Sequence, residues 1–257
     1  VRAAAAAYRA RASLAEVPPG ALDDLRRDVG DLDLEQLFVI PRSSRTIGAA
    51  RADWVLTPTE VIAVGSEAIG VWIDDAGGPR VRAVLPLTGV VAVLDRSVLL
   101  HGRLELVGPE PSIVVRYNTV GRPELRELLL PVRTSSQPAA TALPEGLGQD
   151  PATLPHKWMA LLRSTDVLPA GPDRLVVAAG DPWNIRPQLH DGVAVLSSRE
   201  LLVATDPTPD AQMAHYGVDL LAVARSRVRA IGGGGDTLVV TVADLPRDVE
   251  IRVAAHP

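Results

Sequence analysis

One stretch of twelve residues has a recognisable second copy later in the chain, and this repetition limits the possible folds more than any local pattern does. WVLTPTEVIAVG occupies Trp54–Gly65, and AVLSSRELLVAT occupies Ala194–Thr205. Five positions keep their character at constant spacing: Val55 with Val195, Leu56 with Leu196, Glu60 with Glu200, Val61 with Leu201, and Ile62 with Leu202. Each copy has the pattern of a strand, a tight polar turn and a second strand. Because internal repeats report on architecture, we predict two related β-rich domains in tandem.

The composition is that of a chain with aliphatic cores. Hydrophobic residues make up 47% of the 257 residues and aromatic residues 3%, so Val, Leu, Ile and Ala must fill the interior, and Val favours strands. No apolar run reaches the roughly 18 residues of a membrane helix, and the arginine-containing start lacks the apolar block of a secretory signal. We therefore expect a soluble, cytoplasmic protein. The absence of cysteine excludes disulfides and thiolate sites, and the net charge of −5 argues against general nucleic-acid binding.

Short strands at regular spacing are predicted on both sides of each copy, which is typical of an all-β sandwich or barrel. Besides the two strands of the repeated stretch, the first set is Leu37–Pro41, Ala68–Asp74, Arg80–Leu87, Val90–Leu94, Gly102–Val107 and Ser112–Asn118. The second set is Arg174–Ala179, Val193–Leu196, Glu200–Thr205, Tyr216–Ala224, Val228–Ile231, Thr237–Val242 and Val249–Val253. Glu124–Val132 fits a helix that ends the first set, although its apolar run also fits a strand.

The remaining segments define the predicted domain organisation. Helical patterns occupy residues 1–17 and the stretch from Ala21, which Gly30 ends. Thr134–Asp150 is rich in Ser, Thr, Pro and Gly and is predicted to be a linker. Two helices are candidates to cover the open end of the second domain: Leu154–Thr165, which is the expected one, and the helix around Leu22–Val29. The predicted division is an N-terminal helical segment at 1–36, domain 1 at 37–133, a linker at 134–153, and domain 2 with its preceding helix at 154–257.

The order of these elements resembles the bacterial pleckstrin-homology-like (PH-like) domains. The repeated stretch matches their early hairpin, and LPLTGVVAV at 85–93 matches a strand-pair signal of the family; VARSRVRAI at 223–231 keeps its apolar spacing without the proline. The resemblance implies a mainly β fold of two tandem seven-stranded, partly open barrels with a few flanking helices. It also implies a binding or assembly role. We expect no catalytic residues, no bound metal and no cofactor.

Two groups of arginines are candidate binding residues. Arg42, Arg45 and Arg51 fall in the predicted loop after the first strand, where lipid-binding relatives of the wider superfamily carry phosphate-contacting basic residues; a solvated loop explains them equally well. Arg225, Arg227 and Arg229 alternate with smaller residues, which predicts three guanidinium groups on one strand face. That face is either solvated or a docking site for an acidic partner. Trp183 follows a proline in a loop and is a candidate interface residue.

Catalytic motifs are weak. Gly232–Gly235 lacks the Lys-Ser/Thr and the helix of a phosphate-binding loop and is predicted to be a hairpin turn. His190 and His215 each have an aspartate nearby in sequence, but no histidine pair has metal-ligand spacing. The first hypothesis is therefore a non-catalytic binding or scaffolding protein that contacts a protein partner or a second copy of itself. The alternative is a peripheral binder of anionic lipid or a phosphorylated small ligand through the Arg42/Arg45/Arg51 loop, and an enzyme is the third hypothesis.

Overall fold

Strands dominate the part of the chain that the structure describes. The computed structural model describes residues 17–33, 36–47, 53–75, 77–98, 101–108, 112–133, 158, 160–161, 175–176, 192–197, 199–205, 217–234, 237–244 and 249–252. Its helices include α1 (Ala21–Val29), α2 (Arg122–Leu128) and α3 (Leu130–Arg133). Its strands up to residue 118 are β1 (Leu37–Ile40), β2 (Ser43–Ile47), β3 (Asp53–Thr57), β4 (Thr59–Val64), β5 (Ala68–Asp75), β6 (Gly78–Pro86), β7 (Ala92–Val98), β8 (His101–Val107) and β9 (Ile113–Asn118). The later strands are β10 (Leu175–Val176), β11 (Gly192–Leu196), β12 (Glu200–Thr205), β13 (Gly217–Ala224), β14 (Val228–Gly234), β15 (Thr237–Val242) and β16 (Val249–Arg252).

The strands form open antiparallel sheets. Their orders are β1-β4-β5-β6, β10-β11-β12-β13-β7-β8-β9, β14-β15-β16 and β2-β3. The predicted mainly β class is confirmed, and the sheets are open rather than closed into barrels. The largest sheet has seven strands because β13 pairs with β7. Each of the two strands satisfies the backbone groups of the other, so the sheet extends instead of closing on itself.

Contacts divide the chain into two compact units that cut across the order of the repeats. Unit 1 consists of Val1–Gly89 and Val120–Leu129, and unit 2 of Val90–Thr119 and Leu130–Pro257. Strands β7, β8 and β9 follow the first copy in sequence but belong to unit 2. The predicted domain boundaries at 37–133 and 154–257 follow the repeats and stay a prediction. The compact units instead follow the pairing between strands.

Unit 1 is organised by α1 packing on the sheet β1-β4-β5-β6. Ala21, Leu25 and Val29 recur every four residues, so they share one face of α1, and all three are buried. Gly30 ends the helix with a φ of 87°, as its position in the sequence predicts. Trp72 lies beneath α1, is 1% exposed and donates from Nε1 to Asp24 Oδ2 at 3.2 Å. This hydrogen bond satisfies the polar atom of a buried aromatic ring.

Unit 2 contains the seven-stranded sheet and the three-stranded sheet that packs on it. Side chains from one face of the large sheet meet side chains of β14 and β15 in an aliphatic core that contains Leu201, Leu221, Val223, Val228 and Val240. The opposite face of β7, β8 and β9 is also buried, because Leu104, Leu106, Ile113 and Val115 are each at most 2% exposed. The aliphatic composition predicted such cores.

The repeated stretch folds differently in its two copies. In the second copy β11 and β12 form the predicted hairpin, with Leu196 opposite Leu201. Ser197 closes its turn, accepting through Oγ from the backbone of Glu200 at 3.0 Å. In the first copy β4 pairs with β1 and β5, and β3 pairs with β2, so the hairpin predicted there is wrong. The apolar strand β1 takes the place beside β4 and is buried at three of its four residues.

The loop predicted at 42–51 contains strand β2, which the polar sequence SSRTI concealed. Gly234 and Thr237 pair at the predicted hairpin, although Gly232–Gly234 extend β14 rather than forming the turn. Residues 1–16 and Thr134–Asp150 lie outside the described residues. Of the predicted helix Leu154–Thr165, residues 158, 160 and 161 are described as helical, and Trp158 is 3% exposed.

The helix α3 belongs to unit 2, although the sequence places it at the end of domain 1. It packs against β13, and Val132 and Arg133 are buried. The sequence indicated a helix that completes domain 1, but its last turn belongs to unit 2. Among the described helices, none combines the length and the apolar character needed to span a lipid bilayer.

Candidate anion-binding surface

The three arginines predicted to share a strand face do not do so. Arg225 and Arg227 lie in a 3-10 turn between β13 and β14, and Arg229 lies in β14. Arg225 is 1% exposed, and its burial lowers the pKa of its guanidinium below the ordinary value. Arg227 pairs with Asp244 at 3.0 Å, and Arg229 is exposed. The period-two prediction fails because a 3-10 turn has three residues per turn, which rotates successive side chains to different sides.

The other predicted binding residues are described in part. Arg42 is exposed and precedes β2, and Arg45 lies within β2 with its backbone opposite Val55. Arg51 and Trp183 lie outside the described residues, as do His190 and His215. The anion site predicted on Arg42, Arg45 and Arg51 therefore stays a prediction.

A different set of arginines converges on one face of the seven-stranded sheet. Arg96 of β7 pairs in register with Arg103 of β8, and Arg103 pairs in register with Arg116 of β9. On the other side, Arg96 pairs with Asp219 of β13. Residues directly opposite each other on neighbouring strands point to the same face. We name Arg96, Arg103 and Arg116 the arginine row.

Alternation along the strands explains why this row faces outwards. Asp95, Leu104 and Tyr117 occupy the positions next to the three arginines and are buried on the opposite face. There the Tyr117 hydroxyl donates to Asp95 Oδ1, so the buried carboxylate has a hydrogen-bond partner. A side chain at Gly102 would overlap the Tyr117 ring, so the glycine makes room for it. The buried face fixes the register, and the register aligns the arginines.

The charges of the row are incompletely balanced. Arg96 Nε lies 3.7 Å from Asp219 Oδ2, beyond hydrogen-bond distance, and Arg103 Nη2 lies 2.9 Å from Glu105 Oε2. The Arg96 and Arg103 side chains are 45% and 43% exposed, and Arg116 is exposed. Within the described part of the chain, the Arg116 guanidinium has no carboxylate partner. Three cations thus face two carboxylates, with the excess charge at Arg116.

Like charges directly opposite each other destabilise a sheet. The row contains two such pairs, Arg96 with Arg103 and Arg103 with Arg116. An anion placed between neighbouring guanidinium groups would relieve the repulsion and accept their hydrogen bonds. The geometry therefore suits carboxylate or phosphate oxygens arriving from solvent.

Other charged groups of the described chain serve the fold. Glu60 and Glu200, the equivalent acids of the two copies, are 8% and 4% exposed. Glu60 accepts from Arg82 at 2.9 Å, and Glu200 accepts from Arg133. No cluster of three or more His, Asp or Glu side chains in the described ranges has the arrangement to hold a metal ion.

The arginine row was absent from the sequence predictions. Each member is a single arginine in a different strand, and the three lie within the segments LDRSV, HGRLEL and VVRYN. The available signal was the alternation of each arginine with buried residues, which predicts that it faces outwards. Strand order and register then decide that three such positions are neighbours.

The fold and this surface define a mainly β protein that presents a row of arginines on an open sheet. Comparison with protein-family models, with curated proteins and with solved structures finds no match.

Proposed function

We propose that this chain is a non-catalytic binding or scaffolding protein, built from two PH-like repeats, that holds an acidic protein partner on its arginine row. The observation that carries the proposal is the register of Arg96, Arg103 and Arg116 on three adjacent strands. Cross-strand pairs contribute roughly 0.2–1 kcal/mol each, and like charges act against stability. The arginine row is exposed, does not support the core and places like charges opposite each other. Binding of an acidic ligand explains why the chain carries such an arrangement.

Arginine suits this role because its planar guanidinium offers paired donors that match a carboxylate. The intramolecular partners of the row are exposed pairs, which contribute about 0–1 kcal/mol, so an incoming carboxylate can displace them. The overall charge of −5 argues against unselective binding of acidic molecules. Selectivity then comes from the local row rather than from the whole surface.

The test is a binding measurement with the full chain and a fluorescently labelled poly-glutamate peptide at low and at physiological salt. The variant Arg96→Ala/Arg103→Ala/Arg116→Ala should bind at least about tenfold more weakly than the parent, since three exposed contacts of about 0.5 kcal/mol each are lost. The matched control is Arg26→Ala/Arg27→Ala/Arg80→Ala, which removes three exposed arginines of unit 1 and should bind as the parent does.

A parallel measurement addresses the alternative of anionic lipid. Phosphatidylcholine vesicles containing phosphatidylserine are sedimented with the parent, with the arginine-row variant and with Arg42→Ala/Arg45→Ala/Arg51→Ala. Vesicle binding that depends on Arg42, Arg45 and Arg51, without peptide binding by the row, would replace the proposal with the lipid alternative.

A further inference from the structure

The spacing of the arginine row restricts the shape of the acidic segment that fits it, an inference that rests on the proposed function. Neighbouring strands lie about 4.8 Å apart, and the three arginines are direct register partners on adjacent strands. The outer two therefore start from backbone positions about 10 Å apart.

The side chains of an extended segment that runs along the row are spaced too widely to match the three arginines. Its side chains on one face recur about every 6.7 Å, so three of them span about 13 Å. A helix advances about 5.4 Å per turn, and acids at i, i+4 and i+7 span about 10.5 Å within roughly 60° of its circumference. The helix matches the row, and the extended segment overshoots it by roughly 3 Å.

The positions beside the row favour an amphipathic helix over a uniformly acidic one. One step along the same face, Leu94, Glu105 and Val114 are in register, and Leu94 and Val114 are half-buried. Leu94 packs against the aliphatic core of unit 2, so the apolar contact comes from Val114, whereas the Glu105 carboxylate repels a second line of acids. The surface thus fits one line of carboxylates next to apolar residues.

We infer that the arginine row binds an amphipathic α-helix of a partner protein, with carboxylates on three successive turns. Arg116 is the strongest contact, because its guanidinium carries the excess charge and its carboxylate partner must come from the ligand. Arg103 and Arg96 exchange their contacts with Glu105 and Asp219 for the carboxylates of the helix. The axis of the bound helix therefore runs along the row and across the strands.

The test uses three labelled peptides with equal numbers of glutamates and the full chain. The first has a helix-forming Ala-rich host with Glu at i, i+4 and i+7, and the second has the same host with Glu at i, i+2 and i+5, which spreads the acids around the helix. The third has a Thr-rich extended host with Glu at i, i+2 and i+4. The first should bind at least about fivefold more tightly than the other two, as expected if two exposed contacts are lost in each.

The preference should disappear in Arg96→Ala/Arg103→Ala/Arg116→Ala, whose fold is checked by circular dichroism; if that variant does not fold, the corresponding Arg→Gln variant takes its place. Equal or tighter binding of the extended peptide would overturn the helix inference and leave the proposed function standing. If no peptide binds in a way that depends on the row, both fail. Equal binding of the two Ala-rich peptides would show that charge alone, without helical spacing, is recognised, and would also overturn the inference.

Discussion

Arg133 Nη2 donates to both carboxylate oxygens of Glu200, at 3.1 and 3.2 Å, and the two side chains are 2% and 5% exposed. This pair joins α3 to the first residue of β12 within unit 2. The equivalent acid of the first copy, Glu60, accepts from Arg82 at 2.9 Å. The glutamate that marks both copies in the sequence is thus a buried, paired acid in each, which explains its repetition by structure rather than by catalysis.

Removing one member of the Arg133–Glu200 pair should strongly destabilise unit 2. Glu200→Gln leaves a buried guanidinium without its counter-charge, and breaking a buried pair in this way typically costs about 3–5 kcal/mol. The double variant Arg133→Met/Glu200→Met should recover most of the loss, because no uncompensated charge remains. Urea unfolding of the three proteins measures the difference.

The matched control is Asp75→Asn, which removes an exposed carboxylate paired with Arg80 and should leave the urea midpoint almost unchanged. A Glu200→Gln midpoint equal to that of Asp75→Asn would contradict the assigned role of the buried pair.

The close approach of α1 to β5 requires glycine at position 70. A Cβ there would lie 2.7 Å from Val29 Cγ1 and 3.0 Å from Leu25 Cδ2. Gly70→Ala should therefore destabilise unit 1 by about 1–3 kcal/mol through overpacking. Val29→Ala, introduced together with Gly70→Ala, should cost less than the sum of the two single changes. Additive losses in a double-mutant cycle of thermal unfolding would show that the two sites are not in contact.

Arg80 holds the pKa of Asp75 below its ordinary value, chiefly through the side-chain hydrogen bond, with a further contribution from the Gly77 amide. A carboxylate whose pKa is lowered on folding stabilises the fold above its unfolded pKa, and the stabilisation is lost as the pH falls through the folded pKa. Because the pair is exposed, its contribution to the free energy of unfolding is small, and an NMR titration of the Asp75 carboxyl is the suitable measurement. The Asp75 pKa should rise in Arg80→Ala and stay unchanged in Arg27→Ala; no rise would contradict the pairing.

The repulsion within the arginine row should be visible in stability. Arg116→Thr removes one like-charge pair and introduces a residue that favours strands, so the free energy of unfolding should increase by about 0.2–1 kcal/mol. Arg80→Thr, on β6 opposite Ile73, relieves no like-charge pair and gives up the exposed pair with Asp75, so it should bring no gain. Chemical denaturation at low salt is the measurement, since salt screens the repulsion. A loss of stability in Arg116→Thr would mean that Arg116 supports the fold.

Much of the local structure followed from the sequence. The i, i+4 spacing of Leu25 and Val29 and the glycine at 30 predicted α1, and β12 and β15 have the bounds that their apolar runs predicted. These elements were predictable because burial of one face imposes a period of 3.6 or 2 on neighbouring residues. The arginine stripe at 225–229 was mispredicted because a 3-10 turn interrupts that period.

The sequence by itself determined the β-rich class, the aliphatic cores and the repeated glutamate, all of which depend on composition and on residues close together in the chain. Tertiary structure alone decided that β13 pairs with β7, that β1 displaces the expected hairpin partner of β4, and that Arg96, Arg103 and Arg116 form a row. Several distant segments have similar strand propensities and could pair with one another. Which pairs form depends on which faces are buried together. For that reason the candidate site, which consists of one residue from each of three strands, emerges only with the register.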